Sequence, residues 1–300
     1  MINRFLNYVE IKTKITSTFT ALLTISFLLY KKQAIHWKLT LIFLMSMFLF
    51  DLTTTAINNY IDTKDNGQGL QFRRSTALII IYILLGLSMA LGLYLAYLTD
   101  IVILLIGGIC FICGIFYTYG PVPISRQPLG EILSGFFYGL LIPFIIMYIN
   151  MPRGYFLLLD IKLETIALEL NTLPFIRLIL FGITPFCTTA NIMLANNICD
   201  LEKDILVKRH TLPYYIGRKS LYLFAGLYYL TYIATVVMVI FGVLSPVTLL
   251  SLFTIFLVQK NISKFFKQQD KGSTFILAIK NFILIMGTNT IMIFISALIA

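Results

Sequence analysis

Two short segments of this 300-residue chain concentrate carboxylate and amide side chains at helical spacing. The first segment is DLTTTAINNYIDTKD, residues 51–65, and its polar positions are Asp51, Thr55, Asn58, Asp62 and Asp65. The second segment is NNICDLEKD, residues 196–204, and its polar positions are Asn196, Asp200 and Asp204. Residues three or four positions apart share one helical face, so each segment is expected to present a row of oxygen ligands.

Such rows of oxygen ligands are typical of a magnesium site that binds phosphate. Carboxylates one turn apart repel each other unless a cation lies between them, and Mg²⁺ takes one or two carboxylates together with substrate phosphates. Basic side chains follow each segment and could bind phosphate oxygens. They are Lys64, Arg73, Arg74, Lys203, Lys208 and Arg209. The pattern indicates a metal-bridged phosphate group.

The composition places these ligands in a membrane protein. Hydrophobic residues make up 59% of the chain and charged residues 12%, whereas about a quarter of the residues in a soluble domain are charged. Four Cys are too few for a disulfide scaffold. The net charge of +10 is explained by Lys and Arg in cytoplasmic loops, so we expect a lipid bilayer and no nucleic acid as partner.

Uncharged stretches predict the membrane-spanning helices, since a span needs about 20 apolar residues. They predict an all-α integral membrane protein with nine transmembrane helices, folded as one domain over residues 1–300. The predicted helices cover residues 15–31, 38–60, 75–97, 99–118, 131–150, 174–198, 219–241, 245–260 and 276–299. Most Lys and Arg fall in cytoplasmic loops if the N-terminus is cytoplasmic and the C-terminus is outside. This topology places both acidic segments at the cytoplasmic face.

The two acidic segments resemble the motifs of the UbiA superfamily of intramembrane prenyltransferases, whose members share nine helices and two Asp-rich cytoplasmic motifs. The first family motif reads roughly N-D-x-x-D-x-x-x-D, and NNYIDTKD, residues 58–65, stands in its place with Asn59 where the family has Asp. The second family motif, D-x-x-x-D, is matched by Asp200 and Asp204.

Three stretches are most similar to the 1,4-dihydroxy-2-naphthoate prenyltransferases of menaquinone synthesis. They are EIKTKITS near the start, YTYGPVPISRQPLGE at 117–131, and NNICDLEKD with KRHTL and IGRK behind it. The loop at 117–131 is the most specific of the three. Cys199 stands where this subfamily usually has Arg.

The resemblance implies an Mg²⁺-dependent transfer from a polyprenyl diphosphate to an aromatic ring. The implied catalytic carboxylates are Asp62, Asp65, Asp200 and Asp204, and the implied metal ligands add Asn58, Asn59 and Asn196 or Asn197. The implied diphosphate-binding residues are Lys64, Arg73, Arg74, Lys208 and Arg209. Acceptor binding is expected from Lys14, Tyr117, Arg126, Glu131 and His210. The acceptor of the subfamily is 1,4-dihydroxy-2-naphthoate, which loses its carboxylate as CO₂ in menaquinone or demethylmenaquinone biosynthesis at a bacterial cell membrane.

Three alternatives stay open at this point. The acceptor could be another aromatic compound, such as 4-hydroxybenzoate. Asp51, Asp62 and Asp200 could instead be the ion sites of a multispan transporter. Because Asn59 stands where the family has Asp, the protein could also be a homologue that binds isoprenoid or quinone without catalysis.

Overall fold

The fold consists almost entirely of helices, and every uncharged stretch predicted as a span lies in helical segments. The computed structural model describes residues 1–65, 69–120 and 123–299. Its helices are α1 (Ile2–Tyr8), α2 (Ile15–Tyr30), α3 (Trp37–Asp65), α4 (Arg74–Leu98), α5 (Ile101–Phe116), α6 (Gly130–Phe136), α7 (Ile142–Asn150), α8 (Thr172–Cys199), α9 (Leu201–Leu206), α10 (Leu212–Ile216), α11 (Lys219–Ile240), α12 (Ile255–Lys267) and α13 (Phe275–Ile299). A π-helical turn, Phe137–Leu141, joins α6 to α7, and a 3₁₀ segment, Pro246–Thr254, precedes α12. Shorter 3₁₀ turns are Ile11–Lys14 and Ile124–Arg126.

Seven helical segments in the described part of the chain are long and apolar enough to cross a membrane. They are Trp37–Thr63, Arg74–Leu98, Gly130–Asn150, Thr172–Cys199, Lys219–Ile240, Pro246–Lys267 and Phe275–Ile299. The other two predicted spans are also helical, but α2 and α5 have only 16 residues each, fewer than the roughly 20 of a typical span. The all-α membrane architecture is therefore confirmed, whereas the count of nine crossings stays a prediction.

The chain divides into two compact units. The first unit contains Met1–Thr18 and His36–Ile124. Here α3 packs against α4 and α5, and the N-terminal segment lies on α3. The buried side chains are Tyr8, Val9, Leu52, Ala56, Ile57, Ala77, Ile81 and Leu84. The first acidic segment belongs to this unit.

The second unit contains Phe19–Ile35 and Ser125–Ala300, and its central element is α8. This helix is the most buried of the candidate spans and contacts α6, α11 and α13. A large apolar core lies beside it, with Leu194, Phe224, Tyr228, Val258, Phe265 and Ile285 fully buried or nearly so. The second acidic segment continues directly from the end of α8. The single domain over residues 1–300 stays a prediction.

A β-hairpin between α7 and α8 was not predicted. Strand β1 (Leu157–Ile161) pairs antiparallel with β2 (Ile166–Leu170). The paired residues Leu157 and Leu170, Leu159 and Leu168, and Ile161 and Ile166 form one aliphatic face. The alternation of large apolar residues with Ala and Glu in IALEL was the available signal, because period-two alternation is typical of strands.

Close contact between the α6–α7 segment and α8 depends on two glycines. A Cβ atom on Gly139 would lie 2.3 Å from the backbone N and Cα of Phe186, and one on Gly135 would lie 3.0 Å from the ring of Phe186. Small residues at this spacing allow helix backbones to approach closely in membranes. Gly135 and Gly139 therefore set the distance between this segment and the helix that carries the second acidic segment.

We expect Gly139→Ala to destabilise the protein by about 1–3 kcal/mol, the usual cost of overpacking, because the clash is with backbone atoms that cannot rotate away. The matched control is Gly226→Ala on α11, where an added Cβ meets nothing within 4 Å. Thermal unfolding of the detergent-solubilised variants measures both effects. Equal unfolding temperatures for the two variants would contradict the packing role of Gly139.

Candidate active site

The first acidic segment forms the last four turns of α3. Asn58 and Asp62 lie one turn apart on this helix, and Asp62 is half-buried. The side-chain carbonyl of Asn58 accepts a hydrogen bond from the hydroxyl of Thr118. Thr118 follows Tyr117 in the loop after α5, so within the first unit the predicted acceptor loop touches the predicted metal motif. The side chains of Lys64 and Asp65 lie outside the described residues.

Asn59 faces the N-terminal segment of the chain. Its amide nitrogen donates to the backbone carbonyl of Tyr8 at 2.8 Å and to Glu10 Oε1 at 3.2 Å. An Asp at this position has no proton to donate to either oxygen once it is ionised. This requirement for a donor accounts for the departure of Asn59 from the family motif, and its role as a metal ligand stays a prediction.

Lys14 and Asp51 form a buried ion pair in the first unit. The Lys14 ammonium donates to Asp51 Oδ1 at 2.9 Å, to the Asp51 carbonyl at 2.8 Å and to Thr55 Oγ1 at 2.5 Å. Ser17 donates to the other Asp51 oxygen at 2.8 Å. The two charged side chains are only 4% and 6% exposed. All three ammonium protons are used, which leaves none for an acceptor carboxylate and points to a structural role for Lys14.

Arg73 and Arg74 stand at the N-terminal end of α4, and both are exposed. Arg74 donates to the backbone carbonyl of Tyr60 at 3.2 Å, and its guanidinium lies 5.1 Å from the centre of the Tyr60 ring. Tyr60 is two residues from Asp62 on α3. The first acidic segment therefore has a positive charge beside its last turns, as the predicted diphosphate role requires.

The second acidic segment spans the junction between α8 and α9. Asn196 and Asn197 lie in the last turn of α8, Asp200 lies at the junction, and Asp204 is buried in α9. The backbone N–H of Asp204 donates to the carbonyl of Asp200 at 2.8 Å, which keeps the two carboxylates one turn apart. These residues supply two amide groups and two carboxylates within a few turns of backbone.

Arg209 connects this segment with the loop before α6. Its Nε lies 3.9 Å from Asp204 Oδ1, and its guanidinium donates to the carbonyl of Ser125 at 3.2 and 3.3 Å. The neighbouring Lys208 is exposed and has a left-handed backbone, with φ of 56°. Of the two predicted diphosphate ligands here, Arg209 also positions Asp204, whereas Lys208 projects from the surface.

Glu131 and Asn197 join the end of the 117–131 loop to the second acidic segment. The Asn197 amide donates to Glu131 Oε1 at 2.9 Å, and Glu131 is only 4% exposed. Glu131 Oε2 is buried and has no hydrogen-bond partner among the described residues. A buried carboxylate oxygen without a donor is costly, so this atom is the clearest candidate in the second unit for contact with a polar ligand.

The other predicted acceptor residues of this unit lie close by. The backbone N–H of His210 donates to the carbonyl of Arg126 at 3.1 Å, and the His210 ring centre is 4.4 Å from that of Tyr214. The sequence therefore identified three residues, Arg126, Glu131 and His210, that the fold brings beside the second acidic segment.

Lys271 is the residue that sequence reasoning missed. Its ammonium contacts Asp200 Oδ2 at 2.5 Å and also donates to Asn196 Oδ1. It lies in the loop between α12 and α13, far along the chain from both acidic segments, and no motif marks it. The Lys271 ammonium thus lies between the side-chain oxygens of Asn196 and Asp200.

The donor atoms fit magnesium. Within residues 1–65, 69–120 and 123–299, no three His, Cys, Asp or Glu side chains form a cluster of metal ligands. Each acidic segment instead pairs Asp with Asn oxygen donors. Mg²⁺ commonly takes only one or two carboxylates and completes its shell with water and substrate phosphates, so this small donor set is adequate for it.

The sequence pattern of the UbiA prenyltransferase family matches residues 17–286, nine-tenths of the chain. The chain belongs to this family. It is therefore a prenyltransferase and a multi-pass integral membrane protein. The family match does not support the alternative of a multispan transporter. The UbiA assignment also agrees with the Asp-rich segments at the ends of α3 and α8.

One relative of known activity and two solved structures are also similar to this chain. A 1,4-dihydroxy-2-naphthoate octaprenyltransferase of Bacillus subtilis (strain 168) is 28% identical over 259 residues, which cover 81% of this chain and 76% of the relative. The solved structure of a digeranylgeranylglyceryl phosphate synthase has a TM-score of 0.67 at 16% identity and covers 100% of this chain and 99% of its own. A UbiA homologue of Archaeoglobus fulgidus, solved with GPP and Mg²⁺, has a TM-score of 0.62 at 14% identity, with coverage of 98% and 99%. These structures share the UbiA fold with this chain.

Proposed function

We propose that this prenyltransferase transfers a polyprenyl group from polyprenyl diphosphate to 1,4-dihydroxy-2-naphthoate, with loss of CO₂, in menaquinone or demethylmenaquinone biosynthesis. The observation that carries the proposal is the contact between the 117–131 loop and the second acidic segment. Glu131 is hydrogen-bonded to Asn197, and Arg209 holds both Ser125 and Asp204. The part of the chain most similar to naphthoate prenyltransferases thus adjoins the part that would bind the diphosphate. The name of the Bacillus subtilis relative supports the same acceptor.

Magnesium and the diphosphate would be bound by the two acidic segments. The proposed ligands are Asn58, Asn59, Asp62 and Asp65 in the first unit, and Asn196, Asp200 and Asp204 in the second. Bound Mg²⁺ would neutralise negative charge on the diphosphate leaving group. The archaeal UbiA homologue solved with GPP and Mg²⁺ supports this cofactor. Lys64, Arg73, Arg74, Lys208 and Arg209 would bind the remaining phosphate oxygens.

The acceptor would be oriented by residues of the 117–131 loop and its neighbours. Glu131 Oε2 would accept a hydrogen bond from an acceptor hydroxyl, since this buried oxygen has no partner among the described residues. Arg126 and His210 would interact with the acceptor carboxylate, and Tyr117 with its ring. Surrounding apolar helices would hold the isoprenoid and exclude water from the allylic carbocation.

The membrane arrangement completes the proposal. All nine predicted helices, including the shorter α2 and α5, would cross the bilayer as a single domain, with the N-terminus in the cytoplasm and the C-terminus outside. Both acidic segments would then face the cytoplasm of a bacterial cell, on the side where the active site opens. The excess of Lys and Arg in the loops assigned to the cytoplasm supports this orientation.

An acceptor panel tests the function. Purified protein with Mg²⁺ and a labelled polyprenyl diphosphate should convert 1,4-dihydroxy-2-naphthoate into a lipid-soluble naphthol, and should convert 4-hydroxybenzoate at least about tenfold less efficiently, because a polar acceptor site discriminates by its matched hydrogen bonds. Preference for 4-hydroxybenzoate would overturn the acceptor assignment. No product with any aromatic acceptor would overturn the aromatic class as a whole.

Glu131→Gln is expected to raise KM for the aromatic acceptor about tenfold or more, because it replaces a hydrogen bond to a charged oxygen by one to a neutral amide. KM for the polyprenyl diphosphate should stay within about twofold of wild type. Steady-state kinetics with each substrate varied in turn measure the difference. The matched control is Glu164→Gln, an exposed carboxylate in the hairpin turn. A change in the donor KM alone would contradict the acceptor role.

A further inference from the structure

The ammonium of Lys271 contacts two side-chain oxygens of the second acidic segment. It lies 2.5 Å from Asp200 Oδ2, contacts Asn196 Oδ1, and is 4.8 Å from the centre of the Phe275 ring. Asn196 and Asp200 are four residues apart, on the same face of the C-terminal end of α8. These are two of the ligands proposed for Mg²⁺, so a basic side chain lies where a divalent cation would bind.

The backbone that carries Lys271 is held by a dense set of hydrogen bonds. Asp270 Oδ2 accepts from the N–H of Ser273 at 2.6 Å and from its hydroxyl at 2.8 Å, and Thr274 Oγ1 accepts from the N–H of Asp270 at 2.8 Å. The hydrogen bonds from Ser273 lower the pKa of the Asp270 carboxyl below its usual value. The loop is thus fixed just before α13, while the four-carbon side chain of Lys271, 39% exposed, can leave Asp200 without any change in the loop.

We propose that Lys271 competes with the divalent cation for Asn196 and Asp200, and thereby makes cation binding depend on the diphosphate. The inference rests on the proposed function, because that function assigns both residues as cation ligands. A divalent cation bound to these oxygens repels the nearby ammonium, so its binding favours displacement of Lys271. A bound diphosphate supplies new negative charge for the displaced ammonium, and so lowers the cost of displacement. Cation and diphosphate then bind together rather than independently.

Cation affinity of the full-length protein in detergent tests this competition. Mn²⁺ binding is measured by electron paramagnetic resonance, with and without inorganic pyrophosphate. Lys271→Met keeps the aliphatic stem and removes the charge, and it should tighten the Kd for Mn²⁺ alone by about 3- to 10-fold, the scale of a partly exposed ion pair. It should also reduce the gain in Mn²⁺ affinity that pyrophosphate produces. Lys271→Gln also removes the positive charge and should have the same two effects.

Two controls separate local competition from general electrostatics. Lys267→Met removes the same charge from an exposed position on α12 and should leave the Kd for Mn²⁺ within about twofold of wild type. In the double variant Asp200→Asn with Lys271→Met, the gain from Lys271→Met should vanish, because the shared ligand is gone. Unchanged or weaker Mn²⁺ binding in Lys271→Met, or an equal gain in Lys267→Met, would overturn the proposal. If the protein catalyses prenyl transfer but Lys271→Met leaves the Mn²⁺ affinity unchanged, only this inference is wrong. If the acceptor panel gives no product, the proposed function is wrong.

Discussion

Asp200→Asn is expected to lower kcat for prenyl transfer by about 100- to 1,000-fold, the usual cost of removing one group that stabilises developing charge. The substitution keeps the shape of the side chain and removes one negative charge from the second acidic segment. Asp200 is half-buried, and its carboxylate and the Asn196 side chain both accept from the Lys271 ammonium, so its charge faces a positive group rather than open solvent. Asp62→Asn in the first acidic segment should have an effect of the same order.

Two controls test the interpretation of this loss. Glu202→Gln neutralises an exposed carboxylate two residues away and should keep kcat within about twofold of wild type. Lys271→Met breaks the ion pair of Asp200 without removing the carboxylate. If the loss in Asp200→Asn came only from the broken ion pair, Lys271→Met would lower kcat equally. Near-normal turnover of Asp200→Asn, measured with saturating Mg²⁺ and substrates, would remove Asp200 from the catalytic set.

Lys14→Met is expected to destabilise the protein by about 3–5 kcal/mol, because it leaves the buried carboxylate of Asp51 without its counter-charge. The pair lies almost entirely out of contact with solvent, and Lys14 supplies two of the contacts to Asp51. Ser17 still donates to the Asp51 carboxylate after this substitution, but the positive charge of Lys14 is lost. The shift in the thermal unfolding transition of the detergent-solubilised protein measures the effect.

The double variant Lys14→Met with Asp51→Leu should recover much of this stability, since a buried pair can often be replaced by apolar side chains of similar volume. Lys12→Met provides the matched control, because Lys12 is exposed only two residues away. It should leave the unfolding transition unchanged. A loss of acceptor affinity in Lys14→Met without any loss of stability would contradict the structural role and restore Lys14 to the acceptor site.

The helices formed by uncharged stretches could be predicted from the sequence because their cause is local. A run of about 20 uncharged residues can satisfy its backbone polar groups in a membrane only as a helix, whatever its neighbours are. The same holds for the polar faces at the ends of α3 and α8, since a spacing of three or four residues places side chains on one helical face. The hairpin between α7 and α8 was not predicted, because charged side chains such as those of this stretch are equally typical of a connecting loop.

The partners of the polar side chains were decided by tertiary structure. The resemblance predicted that Lys14 binds the acceptor, but packing of the N-terminal segment on α3 buries its ammonium against Asp51. The donor role of Asn59 toward Tyr8 depends on the same packing. Lys271 reaches Asp200 only because α12 and α13 return the chain to the end of α8.

What the sequence by itself determined is therefore the membrane architecture, the family and the positions of the Asp-rich segments. Each of these follows from short-range pattern, in which a residue and its neighbours a few positions away are sufficient. Only the tertiary structure decided that Glu131 accepts from Asn197 while its Oε2 has no hydrogen-bond partner in the described part of the chain. It also decided that Lys271 rather than a neighbouring residue pairs with Asp200. These contacts join residues far apart along the chain, so they depend on how helices pack and on which polar groups packing removes from water.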